Sequence, residues 1–114
     1  MVNPYVPDTG DIVFLDFDPQ VGREQAKRRP ALVLTDLRYN KASGLAVVFP
    51  LTTKVKPYPF TLPIAVGSVE GAVLVDQLKS DWEGRGAEFH SKAPATMVAK
   101  VRQYIAVLLQ IPVR

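Results

Sequence analysis

The chain has 114 residues, 47% of them apolar, and a formal net charge of +3. That length supports one domain with one modest core, and that apolar content excludes a disordered chain. The absence of cysteine excludes disulfides, thiol nucleophiles and zinc–thiolate sites, and no run of about 18 apolar residues is available to span a membrane.

Charge is unevenly spread. Residues 1–19 carry four acids (Asp8, Asp11, Asp16, Asp18) and no Lys or Arg. Residues 20–57 carry eight basic side chains against Glu24 and Asp36, a net +6. Residues 58–114 are nearly balanced. A concentrated basic segment suits a polyanionic partner, and equally a solvated basic surface. The N-terminus lacks a basic stretch followed by an apolar one, so no signal peptide is expected, and the absence of cysteine fits a cytoplasmic location.

Pro4, Pro7 and Gly10 make an extended lead-in. Asp11–Phe17, rich in β-branched and aromatic residues, predicts a strand. Its apolar positions fall on both faces, which predicts a central one. Gln20–Arg28 reads as a polar loop after Asp18-Pro19. Ala31–Thr35 predicts the second strand. Pro30 holds its own φ and drives Arg29 towards extended geometry, so Arg29 should stand where a loop enters the sheet. Asp36–Gly44 reads as a turn or one helical turn, and Leu45–Phe49 as a third strand closed by Pro50. Leu51–Pro59 reads as a connection. Phe60–Ile64 is a strand that Pro63 marks as an edge or an end, Gly71–Leu78 is another, and Ser80–Gly86 is a polar turn. Short strands with this punctuation predict a small barrel or sandwich. Then the period changes. Met97, Val98, Val101, Ile105, Leu108 and Leu109 recur at helical spacing, with Pro94 in the first turn, which predicts an amphipathic C-terminal helix.

Little conventional catalytic chemistry is available. With one histidine and no cysteine, nucleophilic triads and two-histidine ribonucleases are excluded. His90 reads as a surface histidine. Asp16-Phe17-Asp18 puts two carboxylates on one side of a strand end, but a two-metal nuclease needs more, and Asp18-Pro19 reads as a turn. Glu24, Arg29 and Thr52 remain, among basic side chains. Metal-free RNA cleavage needs a base for the ribose 2′-OH, an acid for the 5′-oxygen and donors for the charged phosphorane. An arginine fork and a hydroxyl supply donors, and Glu24 can accept a proton. The same residues also read as a loop ion pair and a turn hydroxyl. Spacing alone leaves both readings open.

Several stretches in one order and register carry a resemblance: Gly10-Asp11-Ile12, Asp16-Phe17-Asp18-Pro19, Gly22-x-Glu24-Gln25, Arg29-Pro30-Ala31-Leu32-Val33-Leu34, Pro50-x-Thr52-Thr53, Tyr58-Pro59-Phe60 and Gly71-x-Val73-Leu74-x-Asp76-Gln77-x-Lys79-Ser80. Across residues 5–80 the chain resembles the MazF/PemK toxins, the mRNA interferases of type II toxin–antitoxin systems. The resemblance implies a single small SH3-like β-barrel domain over residues 1–114 with a C-terminal helix, CcdB/PemK-like, paired as a homodimer. It implies cleavage of single-stranded RNA at short motifs without metal or other cofactor, leaving a 2′,3′-cyclic phosphate and a 5′-hydroxyl. It assigns Arg29 and Thr52 as the catalytic pair and Glu24 as the loop glutamate. It makes Lys27, Arg28, Lys54, Lys56, Gln77, Lys79 and Arg85 RNA-binding candidates along a groove. It implies a MazE-like antitoxin whose acidic flexible tail occupies that groove, and operator DNA met only through the antitoxin complex.

Two departures are visible. Arg28 stands where some members carry histidine, and Lys56-Pro57-Tyr58 replaces Lys-Gly-Tyr. The RNA motif, not the reaction, is expected to differ. The alternatives are a gyrase poison of the CcdB kind and a non-catalytic RNA-binding module.

Overall fold

The computed structural model describes residues 5–17, 27–52, 61–66, 69–74, 82 and 86–112. The elements in chain order are β1 (Asp11–Phe17), β2 (Lys27–Val33), α1 (Leu37–Ser43), β3 (Val48–Thr52), β4 (Thr61–Val66), β5 (Val69–Leu74), β6 (Glu88–Lys92) and α2 (Ala95–Leu108). The strands form one curled six-stranded antiparallel sheet in the order β4-β5-β3-β2-β1-β6, with α2 following it. No helix among the described residues is long and apolar enough to cross a membrane.

β1 occupies the predicted span and lies inside the sheet, between β2 and β6. Its residues bury both faces, as its two-sided apolar pattern requires. Ile12 points into a cluster with Leu32, Phe49, Leu51 and Val73, where Val101 of α2 also packs. Val13 and Leu15 point into a second cluster with Ala31, Val33, Val48 and Trp82.

Several spans differ from expectation, among them β2, which ends at Val33 and not Thr35, and β3, which starts at Val48 and not Leu45. β2 begins at Lys27, not at Ala31, because its ladder with β1 runs on through Leu15↔Arg29 and Asp16↔Arg28 to Phe17↔Lys27. Arg29 is therefore a strand residue and not the last residue of a loop. Pro50 does not close β3. That strand pairs with β2 through Val48–Pro50 and with β5 through Leu51–Thr52, so Pro50 stands where pairing passes from one neighbour to the other. A residue with no N–H is least costly at such a handover. Residues 36–44 form more than one turn: Asp36 caps α1 by accepting from the Tyr39 N–H at 3.0 Å, and Gly44 ends it at φ 74°. β6 matches no predicted element, because only Phe89 in Glu88-Phe89-His90-Ser91-Lys92 is strongly apolar. Its ladder with β1, which shifts register between Ile12 and Val13, makes it a strand.

Pro63 behaves as expected, since β4 lies at a sheet edge. β4 and β5 each overlap their predicted spans, and residues 75–80, which held the end of the predicted Gly71–Leu78 strand, lie outside the described residues. In α2, Val98 and Val101 are buried and Met97 and Ile105 pack against the first cluster. Pro94 sits at the cap position just before the first turn.

Two buried polar groups pin the sheet's flank. Asn40 donates to the carbonyls of Pro7 (2.9 Å) and Thr35 (3.0 Å), accepts from the Thr35 hydroxyl (2.7 Å), and its carbonyl accepts from Trp82 Nε1 (3.2 Å). Asp11 accepts from the Tyr5 hydroxyl and the Asp8 N–H and pairs with Lys92.

Candidate active site on the sheet

Alternation along β2 sends Arg29, Ala31 and Val33 to one side and Arg28, Pro30 and Leu32 to the other. Ala31 and Val33 are buried in the second cluster, and Leu15, opposite Arg29 in the ladder, is buried with them. Arg29 itself is exposed. The buried row of this face thus surfaces at Arg29. Among the described residues, Arg29 makes no ion pair.

Thr52 arrives from the neighbouring strand. The β2·β3 ladder pairs Val33↔Val48 and Ala31↔Pro50. The pairing stops at Ala31↔Pro50, two residues short of Arg29 and of Thr52, and alternation gives Thr52 the same side of β3 as Val48 and Pro50. Thr52 is half-buried and pairs on its other side with Ala72 of β5. An arginine and a threonine, 23 positions apart in sequence, thus stand on neighbouring strands, each two residues past the pair Ala31↔Pro50. Both carry groups that donate hydrogen bonds to an oxyanion.

Arg28 occupies the opposite side. Its guanidinium donates to Asp16 Oδ1 (3.0 Å), to Glu88 Oε1 (3.1 Å) and to the Gly86 carbonyl. The hydrogen bonds to Asp16 and then Glu88 raise its already high pKa, so it stays protonated. Of the other nominated residues, Lys27 opens β2 opposite Phe17. Glu24, Lys54, Lys56, Gln77, Lys79 and Arg85 lie outside the described residues.

His90 is half-buried rather than on open surface. Its ring meets Phe14 edge-on at 5.3 Å, and its Nδ1 shares a 2.8 Å hydrogen bond with Ser91 Oγ. Asp16 is engaged with Arg28, and Asp18 lies outside the described residues. Among the described residues no group of three His, Asp or Glu side chains is placed to hold a metal ion. Sequence reading missed the partnership of Arg28 with Gly86 and Glu88, for which the chain offers no local signal.

Comparison with known proteins decides the family. Residues 8–109 match the family model described as the PemK-like, MazF-like toxin of type II toxin–antitoxin systems. The chain belongs to this toxin family. The endoribonuclease toxin MazF of Escherichia coli (strain K12) is 47% identical over 88 residues, covering 76% of this chain and 79% of that protein. The crystal structure of MazE-MazF (Form-II) from Deinococcus radiodurans is 44% identical, with a TM-score of 0.87 over 96% of this chain and 100% of the other. A mycobacterial endoribonuclease solved with its cognate antitoxin, 16% identical with a TM-score of 0.73 over 96% of this chain and 98% of that one, shares the fold. The curled sheet and C-terminal helix are thus those of a MazF-like toxin, as the sequence motifs implied.

Proposed function

We propose that this MazF-like toxin is a metal-independent, sequence-specific endoribonuclease that cuts single-stranded mRNA and so stops translation and growth. The observation that carries the reading is that exposed Arg29 and half-buried Thr52 lie on neighbouring strands, each two residues past the pair Ala31↔Pro50. The family membership and the relatives named endoribonucleases support it.

The chemistry follows from what those side chains offer. The ribose 2′-oxygen attacks the adjacent phosphorus, its proton passes to a base, and the bond from phosphorus to the 5′-oxygen breaks. The 5′-oxygen takes a proton. No water enters, so the products are a 2′,3′-cyclic phosphate and a 5′-hydroxyl. Charge accumulates on the non-bridging oxygens in the phosphorane. A planar guanidinium at Arg29 and a hydroxyl at Thr52 stabilise that charge more than the ground state's, which is the condition for rate acceleration. Glu24 accepts the 2′-OH proton, Arg29 gives a proton to the leaving 5′-oxygen, and the proton held by Glu24 then restores the guanidinium. Lys27, Lys54, Lys56, Gln77, Lys79 and Arg85 supply the phosphate contacts that hold the strand.

The protein works as a cytoplasmic homodimer. It is silenced by a MazE-like antitoxin, whose acidic tail competes for the basic groove, and it meets operator DNA only through that complex. Arg29→Ala tests the reading. It should fold normally and lose cleavage of a labelled RNA by about a hundredfold or more, the usual cost of removing a principal charge stabiliser. Full activity in that variant removes Arg29 from the mechanism. Intact RNA with the unaltered protein, together with trapped gyrase–DNA complexes, replaces the reading with a gyrase poison. Cleavage should persist in EDTA; a requirement for added Mg²⁺ would return attention to Asp16 and Asp18.

A further inference from the structure

Arg28 and Arg29 are adjacent in sequence and opposite in circumstance. Arg29 is exposed, without an ion pair among the described residues. Arg28 has three acceptors. From β2 its guanidinium reaches Asp16, its cross-strand partner on β1, and then over β1 to Glu88 on β6. The third acceptor is the carbonyl of Gly86, two residues before β6 begins.

Gly86 is shaped for this contact. Its φ is +65°, in the left-handed region, and a Cβ there would come within 3.1 Å of Arg28 Nη1 and 3.3 Å of Asp16 Oδ2. Glycine lets the chain turn that closely over the guanidinium without displacing it. Two carboxylates beside one guanidinium also neutralise it locally. Among the described residues the cluster therefore presents no spare positive charge to a phosphate, unlike Arg29.

We propose that Arg28 is a positioning residue for Arg29: its guanidinium straddles β1, ties β2 to β1 and β6, and fixes the backbone from which Arg29 reaches the scissile phosphate. This rests on Arg29 acting in cleavage, and it takes Arg28 out of the set of RNA contacts. A planar fork suits the task, because three acceptors on two other segments fix it in position and direction. The ion pairs are exposed, with side-chain accessibilities of 38% for Arg28, 59% for Asp16 and 69% for Glu88. Such pairs add little global stability, so they can be cut without unfolding the protein. What is lost is placement of the catalytic group, to which rate is sensitive.

The test is steady-state cleavage of a short fluorogenic RNA by Arg28→Met, Asp16→Asn, the double variant and Arg29→Ala, with folding checked by circular dichroism. Arg28→Met and Asp16→Asn should each lower kcat by about tenfold with KM unchanged, and the double variant should be no worse than either. Arg28→Lys, which keeps the charge but loses the fork, should stay impaired. A raised KM and unchanged kcat in Arg28→Met, with Asp16→Asn unimpaired, would make Arg28 a substrate contact and overturn the proposal. Unchanged kinetics in both would overturn it too. Should Arg28→Met misfold, Asp16→Asn alone decides by the same kcat criterion. The underlying reading is judged separately: it fails if Arg29→Ala retains activity, whatever Arg28 does.

Discussion

Single side chains in this toxin do separable jobs. Asn40 is fully buried and holds Pro7, Thr35 and, through its backbone, Trp82. Truncating it leaves the Pro7 carbonyl without this donor in the interior and removes two part-buried hydrogen bonds to Thr35, whose hydroxyl keeps the one from the Val47 N–H. Asn40→Ala should lower unfolding free energy by about 3 kcal/mol, measured by urea titration, since each buried group left unsatisfied costs roughly 1–3 kcal/mol. Tyr5 gives a pH signature. Burial first, and then its hydrogen bond to Asp11, push its phenol pKa well above the ordinary 10.0. The folded state therefore holds that proton more tightly than the unfolded chain does. The resulting stability is fully present below about pH 10 and is lost as pH rises beyond it. The urea midpoint should fall between pH 9 and pH 11, and fall less in Tyr5→Phe. An equal fall in both would remove Tyr5 as the cause. At this scale the sequence could nominate Arg29 and Thr52 through the family motifs. It could not show that Arg28 is already engaged, because its partners Asp16 and Glu88 lie 12 and 60 positions away.

Elements were legible where one side chain pattern dominated. β1 was found at its full length because β-branched and aromatic residues fill it, and a strand buried on both faces has no alternation to misread. α2 was found because its apolar residues keep helical spacing, although Leu108 and Leu109, counted in that stripe, are exposed. β6 was invisible because its residues are mostly polar and only its pairing with β1 makes it a strand. The start of β2 was misplaced because proline weighs against a strand interior locally, whereas the ladder with β1 overrides that bias. The packing of α2 gives a contrast to measure. Val101 is fully buried and Val107 is 64% exposed on the same helix. Val101→Ala should cost about 2 kcal/mol, and Val107→Ala less than about 0.5 kcal/mol, in unfolding free energy of the isolated chain. Similar losses at both sites would mean that the far face of α2 is covered in solution.

For the whole molecule, the sheet sets residues distant in sequence on neighbouring strands. At Pro50 β3 passes from β2 to β5, so Thr52 pairs with Ala72 just beyond the stretch that pairs with β2. The segments carrying Glu24, Lys54, Lys56, Gln77, Lys79 and Arg85 are outside the described residues, so their roles rest on family motifs alone. The net charge of +3, with +6 between residues 20 and 57, suits RNA and an acidic antitoxin tail alike. Both should therefore bind more weakly as salt rises, and each should displace the other in a fluorescence competition.

In the proposed reaction the substrate's own 2′-hydroxyl is the nucleophile. The most direct measurement maps cleavage of an RNA oligonucleotide beside an otherwise identical one with a single 2′-deoxy sugar on the 5′ side of the cut. The first should yield a 2′,3′-cyclic phosphate end, and the modified linkage of the second should stay uncut. Equal cleavage of both would contradict the proposed reaction.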